Sequence, residues 1–277
     1  MKNSLARTCL TILAFTLPGS AFGQPTVDKI PVPLTDPGRP VFLKVGLLTG
    51  GITVKGYAGK EVVVEARTAP ADEEERPEGK KSGTLKLIPN TSTGLTVEEE
   101  DNTVSVSTGL RGISRKVDLV IQVPTTCSMK LSTVNDGDIA VENVSGDLEI
   151  NNTNGSITLK QIAGSAVAQT VNGEVLVVFT RVNPDKAMSF SSLNGDIDVT
   201  FPPSIKATVQ LKSDQGEIYS DFDVQMQKTA ARVDKNEGGK GKFRVTIEKA
   251  MQGTINGGGQ EIQFNNFNGS IYIRRGT

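Results

Sequence analysis

Two pairs of carboxylates could carry acid–base chemistry in this sequence: Asp136 with Asp138, and Asp196 with Asp198. A spacing of two puts both members of a pair on the same face of a strand. Two facing carboxylates can serve a glycosidase or a polysaccharide lyase. The same Asp-Gly-Asp pattern is also what a tight polar corner prefers, and the aromatic walls of a sugar-cleaving site are scarce. The chain has no tryptophan and three tyrosines, Tyr57, Tyr219 and Tyr272. It also has no histidine, which removes Ser-His-Asp and Cys-His catalysis and the commonest transition-metal ligand.

The remaining motifs are weaker. Asp- and Asn-rich corners could offer oxygen ligands to calcium, but the nonapeptide of calcium-binding β-rolls, with its paired glycines, is absent. Gly238-Gly239-Lys240-Gly241-Lys242 fails the P-loop pattern, because Asn236 stands where the first glycine belongs and Phe243 where serine or threonine belongs. Cys127 is a thiol with no histidine to activate it, and a buried structural place is expected. The residues therefore call for no cofactor and no metal, and they name no specific reaction.

Whatever these residues do, glycines must position them. Gly137, Gly146, Gly155, Gly164 and Gly173 stand nine apart, and the second and fourth residues after each are apolar, as in Ile139 and Val141 or Ile157 and Leu159. The phase returns at Gly50, Gly195 and Gly269, with Gly216 a further corner. A turn glycine followed by an alternating strand marks a repetitive β architecture. An antiparallel meander turning at each Asn-Gly would pair Asn152 with Ile157, Thr170 with Val175 and Val144 with Asp147. It thus mixes polar and apolar side chains at most turns. A solenoid has no such conflict. A coil of 18 residues with two strands stacks Gly137, Gly155 and Gly173, stacks Ile139 on Ile157 on Val175, and aligns Asp136, Asn154, Asn172 and Asn194 into a turn ladder. Each coil shields the interior of the one before it. Spacing widens to 22 residues from Gly173 to Gly195 and 21 to Gly216. The expected fold is all-β: a single-stranded right-handed β-solenoid, or parallel β-helix, with about 18–22 residues per coil, its hand following the crossover rule.

The start of the chain reads as a targeting segment. Lys2 and Arg7 precede an apolar run from Cys9 to Leu17, then Pro18-Gly19, then Ala21-Phe22-Gly23. That is a secretory signal peptide over 1–23; nine apolar residues are too few to span a bilayer. Residues 24–40 read as an extended lead-in and 41–277 as the solenoid domain, most regular over 130–201. The other strands expected lie at 41–54, 61–66, 84–88, 95–98, 103–107, 117–123, 208–211, 217–222, 243–248, 262–264 and 270–273. Charged or glycine-rich loops are expected at 70–83 and 234–242, and Asp223–Val233 is the one weak helical candidate. Cleavage after Gly23 leaves 28 basic residues against 31 acidic, a net charge of −3, which gives no footprint for nucleic acid. It also leaves a single cysteine and so no intrachain disulfide.

The run VDLVIQVP at 117–124, followed by the NGSI, SGDL and NGEV elements, resembles a bacterial family of exported β-strand-repeat proteins of unknown function, labelled "putative adhesins". GGITVKGYAGKEVVVEA at 50–66 and NGSIYIRR at 268–275 carry the same resemblance. It implies a single-stranded right-handed β-helix and supplies no catalytic residues. Three functional readings stand. The first is an exported, non-enzymatic protein with a structural or adhesin-like role at the cell envelope, in the periplasm, on the surface or outside the cell. It would contact envelope polysaccharide or surface proteins without spanning a membrane. The second is a carbohydrate-active enzyme using the aspartate pairs. The third is an envelope signalling accessory. The sequence fixes no oligomeric state.

Overall fold

The computed structural model describes residues 27–68, 94–108, 116–227 and 251–277. Among them the chain forms twenty strands and no helix, all joined in one hydrogen-bonded system. The signal-peptide segment, the loops at 70–83 and 234–242, and the strands expected at 84–88 and 243–248 lie outside the described residues. The helical candidate at Asp223–Val233 is a strand where it is described, over Val224–Gln227.

The alternation read from the sequence is the alternation of burial. Val117–Pro124, Cys127–Thr133, Ile139–Glu142 and Ile197–Phe201 bury every second side chain. These strands stack in parallel and in register as two long ladders. One aligns Leu119, Ile52, Ile139, Ile157, Val175, Ile197, Ile271 and Ile218. The other aligns Val106, Val45, Leu131, Ile150, Ala168, Phe190, Phe264 and Leu211. All sixteen are nearly or fully buried except Ile218, so each ladder is a column of aliphatic and phenyl side chains facing one core. Buried β-branched side chains suit such pleated columns. The result is a solenoid-like, strand-rich stack. Where the spacing between corner glycines grows from 18 residues to 22, phenylalanines fill the wider interior. Phe179 stacks on Phe201 at 5.4 Å, and Phe190 packs against Phe264 at 5.4 Å.

Stacking order departs from chain order at both ends, which corrects the expectation that each winding covers its predecessor. Val41–Gly46 and Ile52–Tyr57 lie between a later outer winding (Thr103–Thr108, Val117–Pro124) and the next inner one (Cys127–Thr133, Ile139–Glu142). At the other end, Gln260–Asn268 and Ile271–Arg275 lie between Met188–Phe201 and the earlier winding Ala207–Ser220. The cause is chain reversal. Val62–Thr68 runs antiparallel to Val117–Pro124, and Met251–Ile255 antiparallel to Ala207–Ser213, so the chain skips one slot and fills it on another pass. Gly216 accordingly stacks on Gly269 and not on Gly195.

The N-terminal end of the stack is guarded. Val27–Val32, within the stretch read as lead-in, pairs antiparallel with Val62–Thr68 and places Lys29 and Pro31 at the sheet edge. Leu95–Glu100 covers Thr103–Thr108 and brings three consecutive glutamates. Charges and proline on an edge strand discourage edge-to-edge pairing with another chain.

Candidate functional site

One corner of the stack gathers most of the residues singled out by spacing. Gly50, Gly137, Gly155, Gly173, Gly195, Gly269 and Gly216 follow one another up the stack, and a Cβ on each from Gly137 onward would press into the backbone of the neighbouring glycine. Gly146 and Gly164 form a second, separate column, in register with each other. The nine-residue period thus resolves into two corners, each recurring every 18 residues.

A row of buried and half-buried polar side chains serves the first glycine column. The hydroxyls of Thr133, Thr170, Ser192 and Ser213 and the amides of Asn152 and Asn266 each donate to a glycine carbonyl in that column, at 2.8–3.2 Å. Carbonyls lying inside the corner would otherwise be desolvated without a partner, at about 1–3 kcal/mol each. The two amides spend Nδ2 this way and leave Oδ1 without a partner.

Outside the glycines runs a ladder of amides. Asn154 donates to Asn135, Asn172 to Asn154 and Asn194 to Asn172, at 2.7–3.1 Å, and Asn268 reaches Asn194 at 3.5 Å. The first rung is Asn135. Asp136, which the spacing put there, adopts a left-handed backbone (φ 53°) and is exposed beside the ladder.

Three of the four candidate carboxylates are spent on structure. Asp138 accepts the Ser156 N–H at 2.7 Å, and Asp196 accepts the Ser270 N–H at 2.7 Å; each ties one winding to the next. Asp198 is held by Arg274 at 2.8 Å. Asp138 and Asp196 sit three rungs apart, roughly 14 Å at the usual strand spacing, so the two aspartate pairs do not combine into one site. Asp136 and Asp138 share an open depression of about 490 Å³ with Asp118 and Lys116, and Asp118 is itself occupied by the Gly51 N–H at 2.8 Å. Among the described residues no three acidic or cysteine side chains cluster as metal ligands. Cys127 is buried, and desolvation pushes its thiol up to about 12, so it holds its proton at neutral pH and is a poor nucleophile. No helix among the described residues is long and apolar enough to cross a membrane.

A feature that spacing did not single out lies just before the asparagines. Val171, Leu193 and Phe267 occupy successive rungs and are 39%, 45% and 45% exposed. Leu48 and Val134 are exposed at the same position toward the N-terminal end, separated from Val171 by the rung of Thr153. Two residues earlier on each strand, Gln169, Ser191 and Asn265 point outward in register, and Asn151 continues the row. Between ridge and row lies a shallow groove of about 480 Å³ running along the stack, floored by Thr170 and Ser192 and closed at one end by the ion-paired Lys212 and Asp214. A second outward cluster stacks Tyr219 on Tyr272 at 5.2 Å, with the Arg274 guanidinium 5.3 Å from the Tyr272 ring.

Residues 128–256 match the family model described as Toastrack DUF4097. No curated protein matches the chain. Among solved structures, it is similar to a "putative cell adhesion protein" from Clostridium sporogenes, at 12% identity and a TM-score of 0.46, covering 91% of this chain and all (100%) of that one. It is also similar to a "putative adhesin" from Bacteroides fragilis, at 11% identity and a TM-score of 0.40, covering 91% of this chain and 97% of that one. Neither likeness is high enough to define the fold, which rests on the strand registers.

Proposed function

We propose that this chain, whose residues 128–256 match the Toastrack DUF4097 family model, is an exported, non-enzymatic β-solenoid with a structural or adhesive role at the bacterial cell envelope. In this reading residues 1–23 are removed as a signal peptide, and the rest forms one right-handed solenoid, with Val27–Val32 paired at its edge. The basic start, the short apolar run and the small residues before Gln24 support export.

One observation carries the binding role: the outward row of amides and hydroxyls beside an exposed apolar ridge, repeated from winding to winding. The strands of this face pair with neighbours on both sides, so a ligand can meet only side chains there. Identical weak contacts repeated along a rigid face add through proximity. Of the four aspartates that might have supported hydrolysis, Asp138, Asp196 and Asp198 are engaged in backbone and arginine contacts.

The test uses residues 24–277, purified and mixed with envelope fragments of the producing bacterium. The reading predicts retention of the protein on the fragments and no release of sugar products from them. Free passage of the protein, together with unchanged surface attachment in a deletion strain, would remove the adhesive role. Release of cleaved sugars that stops in an Asp196→Asn, Asp198→Asn variant would replace it with the enzymatic one.

A further inference from the structure

We propose that the groove between Gln169, Ser191 and Asn265 on one side and Val171, Leu193 and Phe267 on the other binds an uncharged, hydroxyl-rich glycan chain laid along the stack axis. The inference rests on the envelope-binding reading and assigns it a site and a ligand class.

Four observations point to that chemistry. First, the groove is neutral: its lining includes one cation and one anion, Lys212 and Asp214, and these lie 3.7 Å from each other. An anionic polymer would find no uncompensated positive charge, and a cationic one no uncompensated carboxylate. Second, the side-chain polar groups of Gln169, Ser191 and Asn265 make none of the hydrogen bonds found between described residues, in contrast to the asparagine ladder a few residues on, where each amide is engaged. Amides and a hydroxyl supply both donors and acceptors, the match for sugar hydroxyls, which are also both. Third, the opposite wall is apolar and exposed, with Phe267 the aromatic among its residues. A sugar ring has an apolar face that such a ridge can cover, and exposed apolar area arranged in a line marks an interaction surface. Fourth, the backbone of the floor is already paired, so an extended polypeptide could not add as a strand there and would forgo the main-chain bonds that give such complexes their affinity.

The geometry also sets the length of the ligand. Asn151, Gln169, Ser191, Asn265 and Lys212 stand on five successive windings, so a chain lying along the groove gains contacts rung by rung until it spans them.

The probes are neutral oligosaccharides of glucose, mannose and N-acetylglucosamine in increasing lengths, with polygalacturonate as the acidic comparison, measured by calorimetry on residues 24–277. The expected result is binding to a neutral series that strengthens with length, levels off once the groove is spanned, and persists when salt is raised severalfold. Phe267→Ala is expected to weaken it on the order of tenfold, with an unchanged melting curve because the ring is exposed. The double variant Gln169→Ala, Asn265→Ala is expected to do the same, and Lys160→Ala, an exposed change on another face, to leave it unaltered. Binding of polygalacturonate alone, lost with salt, overturns the inference. So does glycan binding that neither groove variant reduces, and so does capture of an envelope protein that Phe267→Ala abolishes while no glycan binds. If no neutral glycan binds, but envelope fragments retain wild type and Phe267→Ala equally, the groove assignment fails and the envelope reading survives. If neither glycan nor fragments bind, both fail.

Discussion

Removing residues 260–277 is expected to abolish cooperative folding. This segment is the winding slotted between Met188–Phe201 and Ala207–Ser220, and it carries Ile262, Phe264, Ile271 and Ile273, all buried. Burial of each is worth about 1.5–3 kcal/mol against exposure, so the four together rival the whole stability of an ordinary domain, about 5–15 kcal/mol. The loss is larger than that of an end cap. It strips a neighbour from both flanking windings, exposes Phe190 and Leu211, and takes away the Asn266 amide that satisfies the Gly195 carbonyl. Far-UV circular dichroism on heating checks this. The truncated chain should show no sharp transition and should be cut rapidly by protease. A cooperative melt within a few degrees of the full chain would contradict the slotted arrangement.

The second large effect is expected from a single methyl group. Gly195→Ala places a Cβ inside contact distance of the Gly173 carbonyl oxygen, and the backbone there has φ +142°, which side chains rarely adopt. Neither side can give way easily. The Gly173 N–H is bonded to Asn194 O at 2.8 Å and the Gly195 N–H to Asn268 O at 3.0 Å, so the corner is locked from both directions. Backbone strain and overpacking of about 1–3 kcal/mol each give a loss of about 3 kcal/mol, or roughly 6–12 °C in Tm for a chain of this size. Gly46→Ala is the comparison, because a Cβ there meets nothing nearer than Ser132 Oγ at 3.6 Å; its effect should stay within about 0.5 kcal/mol. Urea denaturation of the two variants measures the difference. Equal stabilities would mean that the glycine column is not a steric requirement.

Much of this was legible in the sequence because a parallel stack repeats its constraints. Each inner winding needs a corner residue without a Cβ and two inward apolar residues in fixed phase after it, so Gly137, Gly155 and Gly173 with their trailing Ile, Leu and Val disclose the register directly. The order of the end windings was not legible, and the reason is physical. Ile52-Thr53-Val54, Ile197-Asp198-Val199 and Ile271-Tyr272-Ile273 offer the same inward pattern, so exchanging two of them leaves the core equally filled. Antiparallel reversals at Val62–Thr68 and Met251–Ile255 decide the exchange, and a strand pattern does not carry its direction. The start of the asparagine ladder slipped by one for a related reason. In Val134-Asn135-Asp136-Gly137 the aspartate takes the left-handed conformation and shifts the rung to Asn135. The groove did leave a trace. The asparagine of the corner is preceded by valine, leucine or phenylalanine in VNG, LNG and FNG at 171–173, 193–195 and 267–269. An apolar residue in a polar turn is poorly solvated, and its recurrence on one phase is the exposed ridge.

The arrangement of the windings is tested most directly by paired cysteines on the outward face. Ser191 is in register with Asn265, and Asn265 with Lys212, so the order across the sheet is 191, 265, 212. In-register neighbours stand roughly 4.8 Å apart, within the span a disulfide bridges, whereas the next-but-one strand is about twice as far. The native Cys127 is buried and does not compete. Ser191→Cys with Asn265→Cys should close a disulfide on mild oxidation, seen as a mobility shift reversed by reductant, and Ser191→Cys with Lys212→Cys should remain reduced. A disulfide in the second pair and none in the first would mean that the windings follow chain order, and the slotted C-terminal winding would have to be abandoned, along with the part of the groove that it builds.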